Sequence, residues 1–581
     1  MGSISNPPNA ENGGCERYHS MPRPIKIAHV GAGAAGLITA YKARKMLPHC
    51  ELVLYEKNPA VGGTWFENRY PGVGCDVPSH SYNFTFEPNP EWDGYYAYGD
   101  QIQEYFVGFA KKYGLEEFIR FETTVIAATW LDKDGEWEIE VETKDGTRSF
   151  DKCHVLINGS GPLNKWKWPA IEGREKYRGV ITHTADWDRS IDWKGKRVAV
   201  IGVGSSGVQI VPELARGASS LAVFVRSTQW IVPPAAWQDL RVFPDEPEKS
   251  ALPAPAGKHF YTEHEKALFR SNPERFLEYR KAVDGVMQER FPIFLRHHPQ
   301  REASIAMVKE LLKDRLGADR DDLIELFTPA FSPGCRRPTP AEGFLETLVQ
   351  DNTRVVTAGI ERFTETGIQL EDGEHCEFDL IVCATGFDIA FAPHFRVVGS
   401  GGRTMKEEWV EQPNIYLSVA APNFPNFFFI AGPTGNWAQD ARARLKGSPP
   451  TQHEIQAEYA LQCAAKLSFE NLHSMAPKQE ATTQWRRHVD DWHKANSVWA
   501  EDCRSWMKYN GKIQVWSGSM LHMIKTLRTP RYEDYEIVRR DQDMWKFLGD
   551  GRTLLELRRE NGEQVDMAPF CRIGDEPWVL E

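Results

Sequence analysis

A chain of 581 residues exceeds the size at which one hydrophobic core stops growing, so two or three domains are expected. With 69 basic against 81 acidic residues, the net charge of −12 argues against a nucleic-acid or anionic-membrane surface while permitting local basic pockets. No apolar run is long enough to span a bilayer, and residues 1–22 lack the order of a signal peptide. They read as a flexible polar leader on a cytoplasmic chain. The ten cysteines are scattered, with no CxxC pair and no cluster with histidines, so neither a metal site nor dithiol redox chemistry is expected.

The first chemistry-bearing pattern is IKIAHV at 25–30, an apolar strand that runs into Gly31-Ala32-Gly33-Ala34-Ala35-Gly36 and then the helical pattern LITAYKARKML. In such a strand, turn and helix, Gly31 permits the turn, Gly33 lets a pyrophosphate approach bare backbone, and Gly36 lets helix pack on strand. The next strand, ELVLY, leads to Glu56, placed to bond ribose hydroxyls and to repel a 2′-phosphate. FAD or NAD fits there. A helix (DQIQEYFVGFAKKYG) and strands around TTVIAATW, GEWEIEVE and HVLING follow.

The pattern recurs from Lys196 to Leu214, with Gly202, Gly204 and Gly207 in the same spacing after an apolar strand, and Ser205, Ser206 and Gln209 beside them. The following strand, LAVFVR, ends in Arg226, whose guanidinium can pair with a 2′-phosphate, so this unit suits NADPH. One chain holding FAD and NADPH passes hydride from one to the other. Residues 237–330 are charged, helix-periodic and proline-punctuated, a helical insertion. The strand DLIVCA closes the NADPH unit, and NFPNFFFIAGPTG offers a late strand to the FAD sheet. The expected fold is α/β with two Rossmann-like dinucleotide-binding domains. FAD takes 23–165 and 386–540, NADPH takes 166–236 and 331–385, and 541–581 form a C-terminal extension.

YRGVITHTADWD, with Gly179, His183 and Trp187, resembles the FxGxxxHxxxW fingerprint of the type I Baeyer–Villiger monooxygenases, departing at Tyr177. Gly63-Thr64-Trp65, Tyr70-Pro71-Gly72 and Asp76 resemble a second signature of that family, and the match to fungal members covers about residues 25–535. The resemblance implies an FAD- and NADPH-dependent monooxygenase that converts a ketone, bulky or cyclic, to an ester or lactone with O2 through a C4a-peroxyflavin. The alternative is a related flavin monooxygenase that oxidises sulfur or nitrogen. By the same resemblance GCRRPTP gives Arg337 the catalytic place and Arg336 that of a second 2′-phosphate ligand. Asp76 either orients Arg337 or only accepts a hydrogen bond from the flavin. Trp506, in CRSWMKYNGK, is a nicotinamide contact or a core residue. Tyr82 and Val125 complete the implied cofactor contacts. His183, on the segment joining the two domains, is expected to be a hinge contact with Trp187 packed beside it; direct chemistry and a plain core histidine are the alternatives. The protein is expected to act as a monomer on a small-molecule ketone.

Overall fold

The computed structural model describes residues 17–232, 242, 260–289, 291–340, 343–389, 391–435 and 448–574. Its frame is two parallel five-stranded sheets. The first runs Phe427–Phe429, Val155–Asn158, Lys26–Val30, Glu51–Tyr55, Ile119–Arg120. The second runs Thr353–Val356, Ser220–Phe224, Arg197–Ile201, Leu380–Cys383, Val180–His183. Both have near-continuous apolar strands because parallel sheets are covered on both faces. One face of the first sheet meets the helices Ala34–Met46 and Pro449–Phe469 in a common core. The other packs on a sheet built from Arg396–Val398, Thr123–Leu131, Glu136–Thr143 and Arg148–Cys153. In Glu136–Thr143, Trp137, Ile139 and Val141 alternate inward, which is the period-two burial of a sheet with one wet face.

The same three-glycine device builds both dinucleotide turns. A Cβ on Gly36 would lie 2.2 Å from the Gly31 carbonyl oxygen, and one on Gly207 would lie 2.1 Å from that of Gly202. Only glycine lets each helix start this close to its strand. Gly31 and Gly202 themselves have φ of +95° and +104°, where L side chains are strained.

The chain crosses from the first sheet to the second and back, and the two crossings touch. Trp166 and Phe387 form an antiparallel bridge, and Asp388 N–H donates to Lys165 O at 2.7 Å.

Four local expectations need correction. The strand read as ending at Arg226 stops at Phe224, so Arg226 stands free at its end, exposed. The leader, drawn to residue 22, is not loose over its described part. His19 N–H and Ser20 N–H donate to Arg552 O and Phe547 O, and Arg23 N–H to Ser468 O. Residues 1–16 lie outside the described residues. The helical insertion is not one body. Tyr261, Phe269, Phe276, Tyr279 and Val283 join the first core, whereas Val308, Leu312, Leu316 and Leu323 join the second. Its residues 237–241 and 243–259 are outside the described residues. Finally, Cys335 and Cys503 are joined by a disulfide, although no short cysteine spacing marks them.

Candidate active site between two glycine turns

A cavity of about 740 Å³ opens where the two helix N-termini approach each other. Gly31, Gly33, Glu56, Gly63, Thr64, Trp65, Asp76, Tyr82, Val125, Ser205, Ser206, Gln209, Arg337 and Trp506 all line it. Gly33 and Gly204 are the N-caps of their helices. Neither helix end has a side-chain cap or an acidic residue in its first turn. Uncapped amides and the positive end of the helix dipole therefore face open space, which suits a phosphate. A Cβ on Gly204 would meet nothing within 4 Å.

At one end of the cavity Glu56 is buried, and the donors that fix its carboxylate leave Oε2 a free lone pair. Oε2 accepts from Ala32 N–H at 2.7 Å and Oε1 from Asn58 N–H at 2.9 Å. Burial pushes its pKa up, against those donors. At the other end Arg337 and Asp76 form an ion pair with both side chains largely buried, 18% and 11% exposed. The segment carrying Asp76 is clamped to the second unit. Tyr70 Oη donates to Gln209 Oε1 at 2.7 Å, and Gln209 Nε2 donates to Gly74 O at 3.0 Å. Gly72 has φ +79°, and a Cβ there would lie 2.7 Å from Gln209 O. The Tyr-Pro-Gly turn thus sits flat against the helix Ser205–Ala215. Trp65 Nε1 donates to Tyr82 Oη at 3.0 Å, fixing two aromatic walls.

Arg226 and Arg336 do not line this cavity. They meet beyond the end of the strand Ser220–Phe224. There Arg336 Nη1 donates to Ser227 Oγ at 3.2 Å and to Thr228 O at 3.1 Å. Burial and then the neighbouring Arg226 lower the pKa of Arg336. Among the described residues neither guanidinium pairs with a carboxylate, so two neighbouring cations stand without a carboxylate counter-charge.

His183 ends the edge strand of the second sheet, not a linker. Its buried ring stacks on Trp166 at 4.8 Å and 12°, and Nδ1 accepts from Ala185 N–H at 3.1 Å. Nε2 faces the Gly386 backbone without hydrogen-bond geometry. The imidazole therefore touches both crossings between the sheets. Trp187 does not join it. Trp187 packs with Tyr70, Val208 and Val211 on the helix-covered face of the sheet. Tyr177, the departure from the fingerprint, donates its hydroxyl to Phe378 O at 2.9 Å, and a Cβ on Gly179 would lie 2.4 Å from that hydroxyl.

Not foreseen were Asn58, Lys165, His394, Gln452 and His453, which also line the cavity. Asn58 had a signal, an Asx residue two after an acid, and its Nδ2 bonds Glu56 Oε1 at 2.8 Å. His453 follows a Ser-Pro-Pro helix start and no pattern marks it.

His29, His183 and His453 are each held neutral by burial, with pKa lowered to about 4 from 6.5. The unfolded chain protonates first as pH falls, so each imidazole lowers stability between about pH 6.5 and 4, by up to about 1.4 kcal/mol per pH unit. Thermal melts in that window should show Tm dropping with acid. A flat Tm would mean these rings are solvated.

A family model described as flavin-binding monooxygenase-like matches residues 25–238. The FAD-binding monooxygenase tazF of Aspergillus terreus is 38% identical, over 94% of this chain and 94% of that relative. The chain belongs to the flavin-binding monooxygenase family. The FAD-binding monooxygenase stcW of Emericella nidulans is 34% identical over 94% of this chain and 88% of its own length. An oxidised steroid monooxygenase bound to NADP superposes with TM-score 0.70 at 28% identity, covering 89% of this chain and all of that one. A closed cyclohexanone monooxygenase, at 23% identity and TM-score 0.74, covers 89% of this chain and shares the fold.

The relatives tazF and stcW are named FAD-binding monooxygenases, and the steroid monooxygenase neighbour is bound to NADP. This chain's residues fit both groups: two uncapped helix ends on glycine turns, a buried acid after one, and after the other two arginines that no carboxylate pairs among the described residues. No helix among the described residues is long and apolar enough to cross a membrane.

The first turn can be tested by steric load. Gly36→Ala must push the Gly31 carbonyl aside and is expected to yield colourless protein, with Tm lowered in step with about 1–3 kcal/mol of overpacking. Gly204→Ala has open space around it, so it should keep its flavin and Tm. Flavin content and melting curves read both, and a yellow Gly36→Ala protein of normal Tm would contradict this packing.

Proposed function

We propose that this enzyme is a Baeyer–Villiger monooxygenase, converting ketone, O2, NADPH and a proton to ester or lactone, NADP+ and water. The observation that carries it is the Arg337–Asp76 pair in the cavity wall. Bound FAD supplies the chemistry of accepting hydride from the nicotinamide and activating dioxygen. The chain's residues do the rest. Glu56 and the Gly31 turn hold the adenosine end of FAD. The Gly202 turn, Arg226 and Arg336 hold NADPH by its pyrophosphate and 2′-phosphate. Arg337 presents a fixed cation where negative charge develops on the former carbonyl oxygen, a preorganised stabilisation that water cannot match in a closed site. Asp76 keeps the guanidinium aimed. Trp506 covers the nicotinamide end. The likeness to a steroid monooxygenase supports a bulky or cyclic ketone. The test is NADPH consumption over a ketone panel with product masses. A ketone-dependent gain of one oxygen per NADPH supports the reading, and consumption that no ketone alters or captures opposes it.

His183 acts in this account as a hinge contact. Its ring lies on both crossings and is not among the side chains that line the cavity. A proton-transfer role also conflicts with a pKa near 4. His183→Ala should stay yellow while product formed per NADPH falls and peroxide rises, because the sheets reorient less faithfully. Colourless protein that regains full turnover on adding FAD would point to a flavin-site role instead.

A further inference from the structure

Two functional loops far apart in sequence are covalently joined. Cys335 immediately precedes Arg336 and Arg337, and Cys503 lies three residues before Trp506. We propose that the Cys335–Cys503 disulfide is a positioning link for the arginine pair, whose opening loosens Arg336 and Arg337 without emptying the flavin site. The inference rests on the roles given above to those arginines.

The backbone on either side of the arginines is pinned at two further places. Upstream, Ser332 is pinned to the Cys503 loop, its N–H and Oγ donating to the two Glu501 carboxylate oxygens, both at 2.7 Å. Downstream, Thr339–Pro340 pairs with Ile231–Val232. Between those anchors Gly334, at φ +99°, gives the backbone freedom and lies against the Phe294 ring. The disulfide is the covalent anchor in the middle, one residue from Arg336. It is well packed, with Cys335 fully buried and Cys503 8% exposed. The neighbouring Gly334 lies against Phe294 and Val498, members with Trp499 and Met507 of an apolar cluster against which Trp506 also packs. Arg336 and Arg337 point to different partners, Thr228 and Asp76. One anchor before them therefore sets both aims together.

The environment also favours one direction of opening. Lys508 Nζ lies 3.8 Å from Cys335 Sγ, held by Glu501 O and Cys503 O at 2.6 and 3.2 Å. When a dithiol reductant's thiolate attacks Cys503 Sγ, the S–S bond breaks and Cys335 leaves as a thiolate stabilised by that ammonium. The reductant's second thiol then displaces Cys503 and closes its own disulfide. Two electrons and two protons pass to the enzyme, leaving two thiols.

The experiment takes the full-length holoenzyme before and after dithiothreitol, with thiols counted, alongside Cys335→Ser, Cys503→Ser and the double variant. Each is read for bound flavin, KM and kcat of NADPH consumption, and the share of oxygen released as peroxide. Reduction should expose two further thiols, raise the NADPH KM about tenfold, as for one lost charge-assisted contact, and raise the peroxide share, with flavin retained. Each serine variant should already show that state, the double variant no more of it, and dithiothreitol should change none of them. Reoxidation should restore the wild-type values. The serine variants read the open state even where the buried bond resists the reductant. An NADPH KM and peroxide share within twofold of wild type in both the reduced enzyme and the variants would overturn the proposal. Flavin loss on opening would do so too, since that marks general unfolding. These readouts need no organic substrate, so they stand or fall separately from the ketone assignment.

Discussion

Arg337→Ala should abolish oxygen insertion while leaving a yellow enzyme that still consumes NADPH and oxygen. The guanidinium is held in the cavity wall by Asp76 and belongs to neither glycine turn, so both turns should keep their nucleotides. What disappears is the fixed cation beside the reacting oxygen. Losing one preorganised donor of this kind costs about 10²–10³ in rate, and the electrons then appear as hydrogen peroxide. Anaerobic reduction by NADPH, product yield and peroxide yield are the measurements. Ester at near wild-type yield would remove Arg337 from the mechanism. Asp76→Asn separates aim from charge, because the amide still bonds the guanidinium but no longer pairs its charge. It should lose less than Arg337→Ala.

Removing the second pair of cations should change cofactor choice more than turnover. Arg226 and Arg336, the proposed 2′-phosphate ligands, meet at the end of the strand Ser220–Phe224, and no described carboxylate neutralises them. Each charge-assisted contact is worth about 1.5–3 kcal/mol. The double variant Arg226→Ala/Arg336→Ala should therefore lose NADPH-over-NADH preference by about 10²–10⁴ in KM, with kcat little altered. The check is the ratio of kcat/KM for the two nucleotides. A wild-type enzyme indifferent to the 2′-phosphate would contradict the placement at once.

Both glycine turns, the acid and the arginine after them and the two α/β units they open were legible in the sequence because each rests on a local rule. A positive φ, a helix packed on a strand, and a charge at a strand's end all leave marks within a few residues. The contact of Arg337 with Asp76 was legible only through resemblance, since 261 residues separate them and no local period links them. The disulfide left no mark at all for the same reason, its cysteines being 168 residues apart. His183 shows a different limit. Its burial and its stack on Trp166 come from tertiary packing of an edge strand, so the sequence placed it on a linker. Trp187, four residues on, turned to the opposite face because the chain leaves the strand through a short 3-10 turn at Thr184–Asp186.

The most direct test offers the NADPH-reduced enzyme a bulky cyclic ketone and a sulfide of similar size together, in equal amounts, under 18O-labelled dioxygen. In the proposed mechanism the Arg337 cation favours attack on a carbonyl, so the predicted product is a lactone carrying one 18O in its ring position, formed in large excess over sulfoxide. Labelled sulfoxide with the ketone recovered unchanged would contradict the Baeyer–Villiger account.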